Sequence, residues 1–174
     1  MSFLPRWQRS AVSTPARSPA ADRAKQLEAL YQRPGFLLRR AHQIAVSLFT
    51  EESAAFNITT TQYGVLVILR VYDDLDQIGV SKKVGLDRST TGLVIQKLER
   101  ERLVVRLADP ADGRRKIIVL TAKGERLLKD LQEPAARAQE IALSPFEPDE
   151  AEQFLRLLDK FVTHFNEKTR APLL

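Results

Sequence analysis

The stretch VVRLADPADGRRKIIVL, residues 104–120, sets two short apolar runs around a polar tip that holds a proline, a glycine, two arginines and a lysine. Leucine and β-branched residues suit the pleated surface of a strand, and ADPADGRR supplies turn-forming residues, so a two-stranded hairpin is expected here. Such a tip is either an ordinary solvated end or a charged finger shaped to meet an anion. The neighbouring segments decide between the two.

Upstream, DDLDQIGVSKKVGLDRSTTGLVIQKLERERLV (73–104) contains two short helical patterns, with Gly85 at the break and Asp87 placed to cap the second. Two helices joined by a tight glycine turn form a helix-turn-helix unit. Before it, TTTQYGVLVILRVYDD (59–74) offers Thr60 as a cap and then an almost wholly apolar helix, expected in the core. In PGFLLRRAHQIAVSLFTEESAAF (34–56), Leu37, Ala41, Ala45, Ile44, Leu48 and Phe49 recur at helical spacing and predict one buried face, with Pro34 in the first turn. Beyond the hairpin, TAKGERLLKDL restarts a helix with Thr121 as cap, and Pro134 should kink or divide it. A last helix places Phe154, Leu155, Leu158, Phe161, Val162 and Phe165 on one stripe, with Pro148 near its start. The expected fold is mainly α with a small β-hairpin wing.

Charge distribution points the same way. The net charge is +5; residues 97–126 carry +4 of it, residues 1–24 carry +3, and residues 127–174 carry −3. A basic concentration around the hairpin is the footprint expected for a polyanion partner, although a solvated charged surface has the same composition. Hydrophobic residues make up 44% and charged residues 28%, an ordinary balance for a soluble globular chain. No apolar run reaches the roughly 18 residues needed to span a bilayer, the opening residues lack the apolar core of a secretory signal, and a cytoplasmic location is expected. With no cysteine, disulfides and thiolate metal sites are excluded, and no metal or cofactor is expected. The two histidines, His42 and His164, are far apart, and no G-x-S-x-G, P-loop or H-E-x-x-H pattern is present, so no catalytic residue is assigned and an enzyme is not expected.

Two motifs make a resemblance specific. DGRRKIIVLT (112–121) looks like the wing signature D-x-R-x-x-x-hydrophobic-x-L-T of the MarR family, and GLDRSTTGLVIQKLERERLV (85–104) resembles its recognition helix. They occur in the right order and separation, and the resemblance covers residues 34–168. It implies a ligand-responsive transcriptional regulator, most often a repressor, that binds a double-stranded DNA operator as a homodimer. The implied organisation is a basic flexible tail (1–24), a helical dimerisation part (25–59), a winged helix-turn-helix lobe (60–122) and a second helical dimerisation part (123–174). Trp7 in the tail is a candidate docking anchor or an aromatic with no partner.

On the expected reading helix, 88–101, Thr91, Val94, Ile95 and Leu98 share the core face. Ser89, Gly92, Leu93 and Gln96 share the opposite face, which would enter the major groove; Gln96 suits adenine and Leu93 a thymine methyl. Ser89 and Thr90 suit a phosphate or base edge, while Arg88, Lys97 and Arg100 are candidate phosphate contacts. Arg114 stands at the family's minor-groove arginine position, flanked by Arg115 and Lys116 as backbone contacts, with Asp112 expected to orient an arginine. The chain departs from the family at Gly92 and Leu93, where Thr or Ser and then Arg are common, and at Arg102, where a glycine often ends the helix.

Members of the family often bind small aromatic or phenolic acids, and the first long helix resembles a branch that responds to aromatic carboxylates such as nicotinate derivatives. The residues that would form such a site are Arg39, Arg40 and His42, with Thr59, Thr61 and Tyr63. Two other readings fit a winged helix: a protein–protein adaptor, and a DNA-binding protein indifferent to sequence. Steep salt dependence separates DNA binding from an adaptor, and competition by unrelated DNA exposes indifference to sequence.

Overall fold

The computed structural model describes residues 19–169 and 171–173; residues 1–18 of the expected tail, including Trp7, lie outside them. The chain divides into two compact units, residues 1–42 and 43–174. Helix α1 (Pro19–Tyr31) lies in the first unit, so residues 19–24, read above as the end of a tail, are helical. Helix α2 (Pro34–Glu52) begins at the proline, as its spacing requires. The stripe read as a buried face is open to solvent along most of its length: Leu37 is 54% exposed and Ile44 51%, and only Phe49 is buried. The period is helical, but period alone does not bury a face.

The second unit holds the core. Helix α3 (Thr60–Val71) buries Val65, Leu66 and Leu69, α4 (Gln77–Val84) buries Val80, and α5 (Arg88–Arg100) buries Thr91, Ile95 and Leu98. Each fully buried aliphatic side chain contributes about 1.5–3 kcal/mol by leaving water. The cap of α3 is Thr59, not Thr60: its oxygen accepts from the Gln62 backbone N–H (3.2 Å), while Gln62 Oε1 accepts from the Thr59 N–H (2.9 Å). That reciprocal box needs Gln three residues on, which only Thr59 has. Asp76 caps α4 through the Gly79 N–H (2.7 Å), and Gly85 closes α4 in the left-handed conformation, at φ 70°.

Strands β1 (Val104–Ala108) and β2 (Lys116–Leu120) form the antiparallel hairpin, in the register Val104↔Leu120 to Ala108↔Lys116. The Ile118 N–H donates to the Leu75 carbonyl at 2.8 Å, which stitches the wing to the segment before α4. Helices α6 (Ala122–Asp130), α7 (Gln132–Leu143) and α8 (Pro148–Phe165) follow. The expected division falls at Leu131 and not at Pro134, which sits in the first turn of α7, where a missing N–H costs no intrahelical bond. No helix among the described residues is long and apolar enough to cross a membrane.

The helix end at Arg102 is managed by strain tolerance and local bonding. Arg102 takes φ 59°, its N–H bonds the Glu99 carbonyl (2.9 Å), and the Leu103 N–H bonds that of Leu98 (2.9 Å). This is a Schellman ending with arginine in the position glycine favours. Lys123 Nζ donates to the Glu101 carbonyl (2.8 Å) and the Thr121 hydroxyl to that of Arg102 (2.7 Å), which holds the turn. Arg102→Gly is expected to raise stability by about 1 kcal/mol, the cost of a left-handed non-glycine residue less the extra freedom of the unfolded chain. A urea melt checks it, and a lower midpoint would contradict the cap.

Candidate nucleic-acid interface

Helix α5 presents the two faces its spacing predicts. Thr91, Ile95 and Leu98 are buried and Val94 is half-buried, while Ser89, Leu93 and Gln96 are exposed and Gly92 is intermediate. Leu93 is 68% exposed, so the helix is not rotated to bury it. An unburied leucine between polar residues leaves a methyl-reading surface beside hydrogen-bonding groups.

At the start of α5, Asp87 gathers four donors. Its Oδ1 accepts from the N–H groups of Ser89 (3.0 Å) and Thr90 (2.9 Å) and from the Ser89 hydroxyl (2.6 Å), and its Oδ2 accepts from the Thr90 hydroxyl (2.6 Å). These bonds, the Ser89 hydroxyl first and the Thr90 hydroxyl next, hold the Asp87 carboxyl well below the usual carboxylate range. Ser89 and Thr90 therefore already spend their hydroxyl protons on Asp87, and either must leave it to donate to a phosphate. Because the folded value is depressed, the cap's contribution is complete above the ordinary aspartate value of 3.8 and is lost as the pH falls from there toward the folded value. Asp87→Asn is expected to flatten the acid limb of stability below about pH 4, read from melting midpoints across a pH series. A limb as steep as wild type would remove Asp87 from the account.

The wing tip is a small hydrogen-bonded frame. The Asp109 carboxylate accepts from the Ala111 N–H (2.8 Å) and the Asp112 carboxylate from the Arg114 N–H (3.0 Å). Asp112 thus orients the backbone of Arg114 and not a guanidinium. The arginine that is held is Arg115: Nη1 donates to Asp109 Oδ2 (2.8 Å), Nη2 to the Asp74 carbonyl (2.6 Å), and Nε lies 3.7 Å from Asp76 Oδ2. Bonding to Asp109 first, with Asp76 and Asp74 adding to it, raises the Arg115 pKa, while the Ala111 N–H first and then Arg115 lower that of Asp109. Arg115 is a latch between wing and body. These bonds leave it half-buried in the turn before β2, whereas Arg114 and Lys116 are exposed.

Of the cations named from sequence, Arg88, Arg100, Arg114 and Lys116 are exposed and make no side-chain hydrogen bond or ion pair among the described residues, whereas Lys97 lies 3.9 Å from Glu101. The sequence did not reveal the body side of the latch, because no spacing rule links the Asp74 carbonyl or the Asp76 carboxylate to a tip some forty residues on.

The residues named for an effector fall in both units. Arg39, Arg40 and His42 belong to the first unit, where Arg39 lies over the Phe36 ring at 4.9 Å. Thr59 is committed to its cap. Tyr63 packs on Phe49, with ring centroids 5.2 Å apart, and lines a cavity of about 260 Å³ with Phe49, Thr60, Gln139 and alanines of α2 and α7. Thr59 and Thr61 do not line it.

Comparison with known proteins agrees with this geometry. The MarR family model matches residues 58–116, the span from the start of α3 to the start of β2. The chain is 28% identical over 128 residues to the HTH-type transcriptional repressor NicR of Pseudomonas putida, covering 74% of this chain and 81% of that protein. Among solved structures it is similar to BpsR of Bordetella bronchiseptica, whose DNA binding is regulated by 6-hydroxynicotinic acid: 29% identity, TM-score 0.71, covering 75% of this chain and 94% of that one. It is also similar to the PcaV transcriptional regulator of Streptomyces coelicolor in complex with its natural ligand: 35% identity, TM-score 0.69, covering 77% and 94%. These relatives are transcriptional regulators and not enzymes. By its fold, its wing and these matches, the chain belongs to the MarR family of winged-helix transcriptional regulators.

Proposed function

We propose that this chain is a cytoplasmic, ligand-responsive transcriptional repressor that binds a pseudo-palindromic DNA operator as a homodimer and is released by a small aromatic acid. The observation that carries DNA reading is the pairing of an exposed, mixed face on α5 with an unpartnered Arg114 at the wing tip. An exposed guanidinium with no partner among the described residues suits the enhanced negative potential of a narrow minor groove. Arg115, by contrast, serves the wing's own position.

Dimerisation rests on the apolar stripes left open among the described residues. On α8, Phe154, Leu155, Leu158, Phe161 and Val162 are all at least 36% exposed, a patch too continuous for a soluble helix working alone. Leu27 and Leu30 of α1 and Leu37 of α2 are likewise open. The lobe 60–122 would then hang from dimerisation parts formed by 25–59 and 123–174. Two reading helices on a two-fold axis want half-sites about one turn, roughly 34 Å, apart.

The cavity beside Tyr63 is the effector site. Its walls are apolar, while Thr60, Tyr63 and Gln139 supply polar groups that fix orientation, the usual make-up of a small-molecule pocket. BpsR's response to 6-hydroxynicotinic acid points to a heteroaromatic or aromatic acid as the class. Titrating operator DNA at several salt concentrations, with and without a panel of such acids, tests the reading. Affinity should fall steeply with salt, and at least one acid should weaken binding. Salt-independent binding would return the chain to the adaptor class, and a panel with no effect would remove the effector.

A further inference from the structure

The first residue of α4 reaches across to α5. Gln77 Nε2 donates to the Arg88 backbone carbonyl at 3.2 Å. The same carboxamide fills the space that residue 92 leaves empty: a Cβ on Gly92 would lie 2.9 Å from Gln77 Nε2, 3.5 Å from its Cδ and 3.7 Å from its Oε1. Glycine inside a helix is unfavourable relative to alanine, so its presence on this face needs a compensating reason. The compensation is that the missing Cβ admits Gln77. Gly92 belongs to the stripe Ser89, Gly92, Leu93 and Gln96, so the seated carboxamide lies at the exposed face of α5.

We propose that Gln77 is a DNA-reading residue, with its carboxamide taking over the place on the reading face that a side chain at position 92 would hold. This rests on α5 reading DNA as proposed above. Gln77 Oε1 accepts no hydrogen bond among the described residues, and one of its two amide protons remains unused. A free acceptor beside a free donor matches the N6 and N7 edge of adenine in the major groove. Together Gln77 and Gln96 give the face two carboxamides around the exposed Leu93 methyls, which favours A·T pairs.

The test starts with duplexes selected by the wild-type protein from a random pool. Affinity for the selected site and for each single-base-pair change is then measured for wild type, Gln77→Ala, Gly92→Ala and the double variant. Gln77→Ala should lose about tenfold discrimination at one base pair of each half-site and keep the preferences elsewhere. Gly92→Ala should lose discrimination at that same pair, because its Cβ evicts the carboxamide, and the double variant should be no worse than either single. Gly92→Ala adds helix propensity and Gln77→Ala removes one exposed bond, so melting curves should show both folded. Wild-type preferences in Gln77→Ala, effects of the two singles at different base pairs, or a uniform loss at every position would each overturn the proposal. A wild type that selects no sequence would instead overturn the DNA-reading account as a whole, and Gln77's role with it.

Discussion

Gly124→Ala is expected to destabilise the protein by about 3 kcal/mol, the upper end for overpacking a tight site. A Cβ at this position would lie 2.2 Å from the Leu103 carbonyl oxygen and 3.1 Å from Leu120 Cδ2. Neither side can give way cheaply. The Leu103 carbonyl accepts from the Thr121 N–H (3.0 Å) and hydroxyl (3.2 Å), and Gly124 N–H itself donates to that hydroxyl (3.1 Å). Leu103 is buried at the foot of β1, so a retreat there would shift the wing against the reading helix. Gly113→Ala at the wing tip meets nothing within 4 Å and provides the control. Urea melts of the two variants give the comparison, and equal midpoints would contradict the described seam.

Arg114→Ala is expected to melt like wild type and to weaken specific DNA binding by about 1–3 kcal/mol. Its guanidinium makes no hydrogen bond or ion pair among the described residues, so the loss should appear only with DNA present. Arg115→Ala should do the reverse first: it removes bonds to Asp109 and the Asp74 carbonyl, lowers stability and frees the wing, with any DNA effect following from that. The pair therefore separates a residue that touches DNA from one that positions the element. Binding by Arg114→Ala equal to wild type at moderate salt would take the wing out of the account.

Much of this arrangement was legible because it is local. Asp87, Thr121 and Gly85 announce their caps by residue type, and the hairpin by β-branched runs around turn residues. The cap at Thr59 was legible too, since only that threonine has a glutamine three residues on, yet three adjacent threonines obscured it. Other features were not local. The sequence sets Arg114, Arg115 and Lys116 side by side, but that Arg115 is the one held inward depends on the Asp74 carbonyl, Asp76 and Asp109 meeting in space. The stripes of α2 and α8 have the right period for burial, and period alone does not say that they stay exposed among the described residues. The link from Gly92 to Gln77 crosses between two helices and leaves no mark in either pattern.

Selection of bound duplexes from a random pool by the wild-type protein tests the central claim most directly. The account predicts enrichment of a pseudo-palindrome whose half-sites lie about one helical turn apart. Enrichment of a single asymmetric half-site would contradict the two-fold assembly, and no enrichment at all would contradict sequence reading by α5 and the wing.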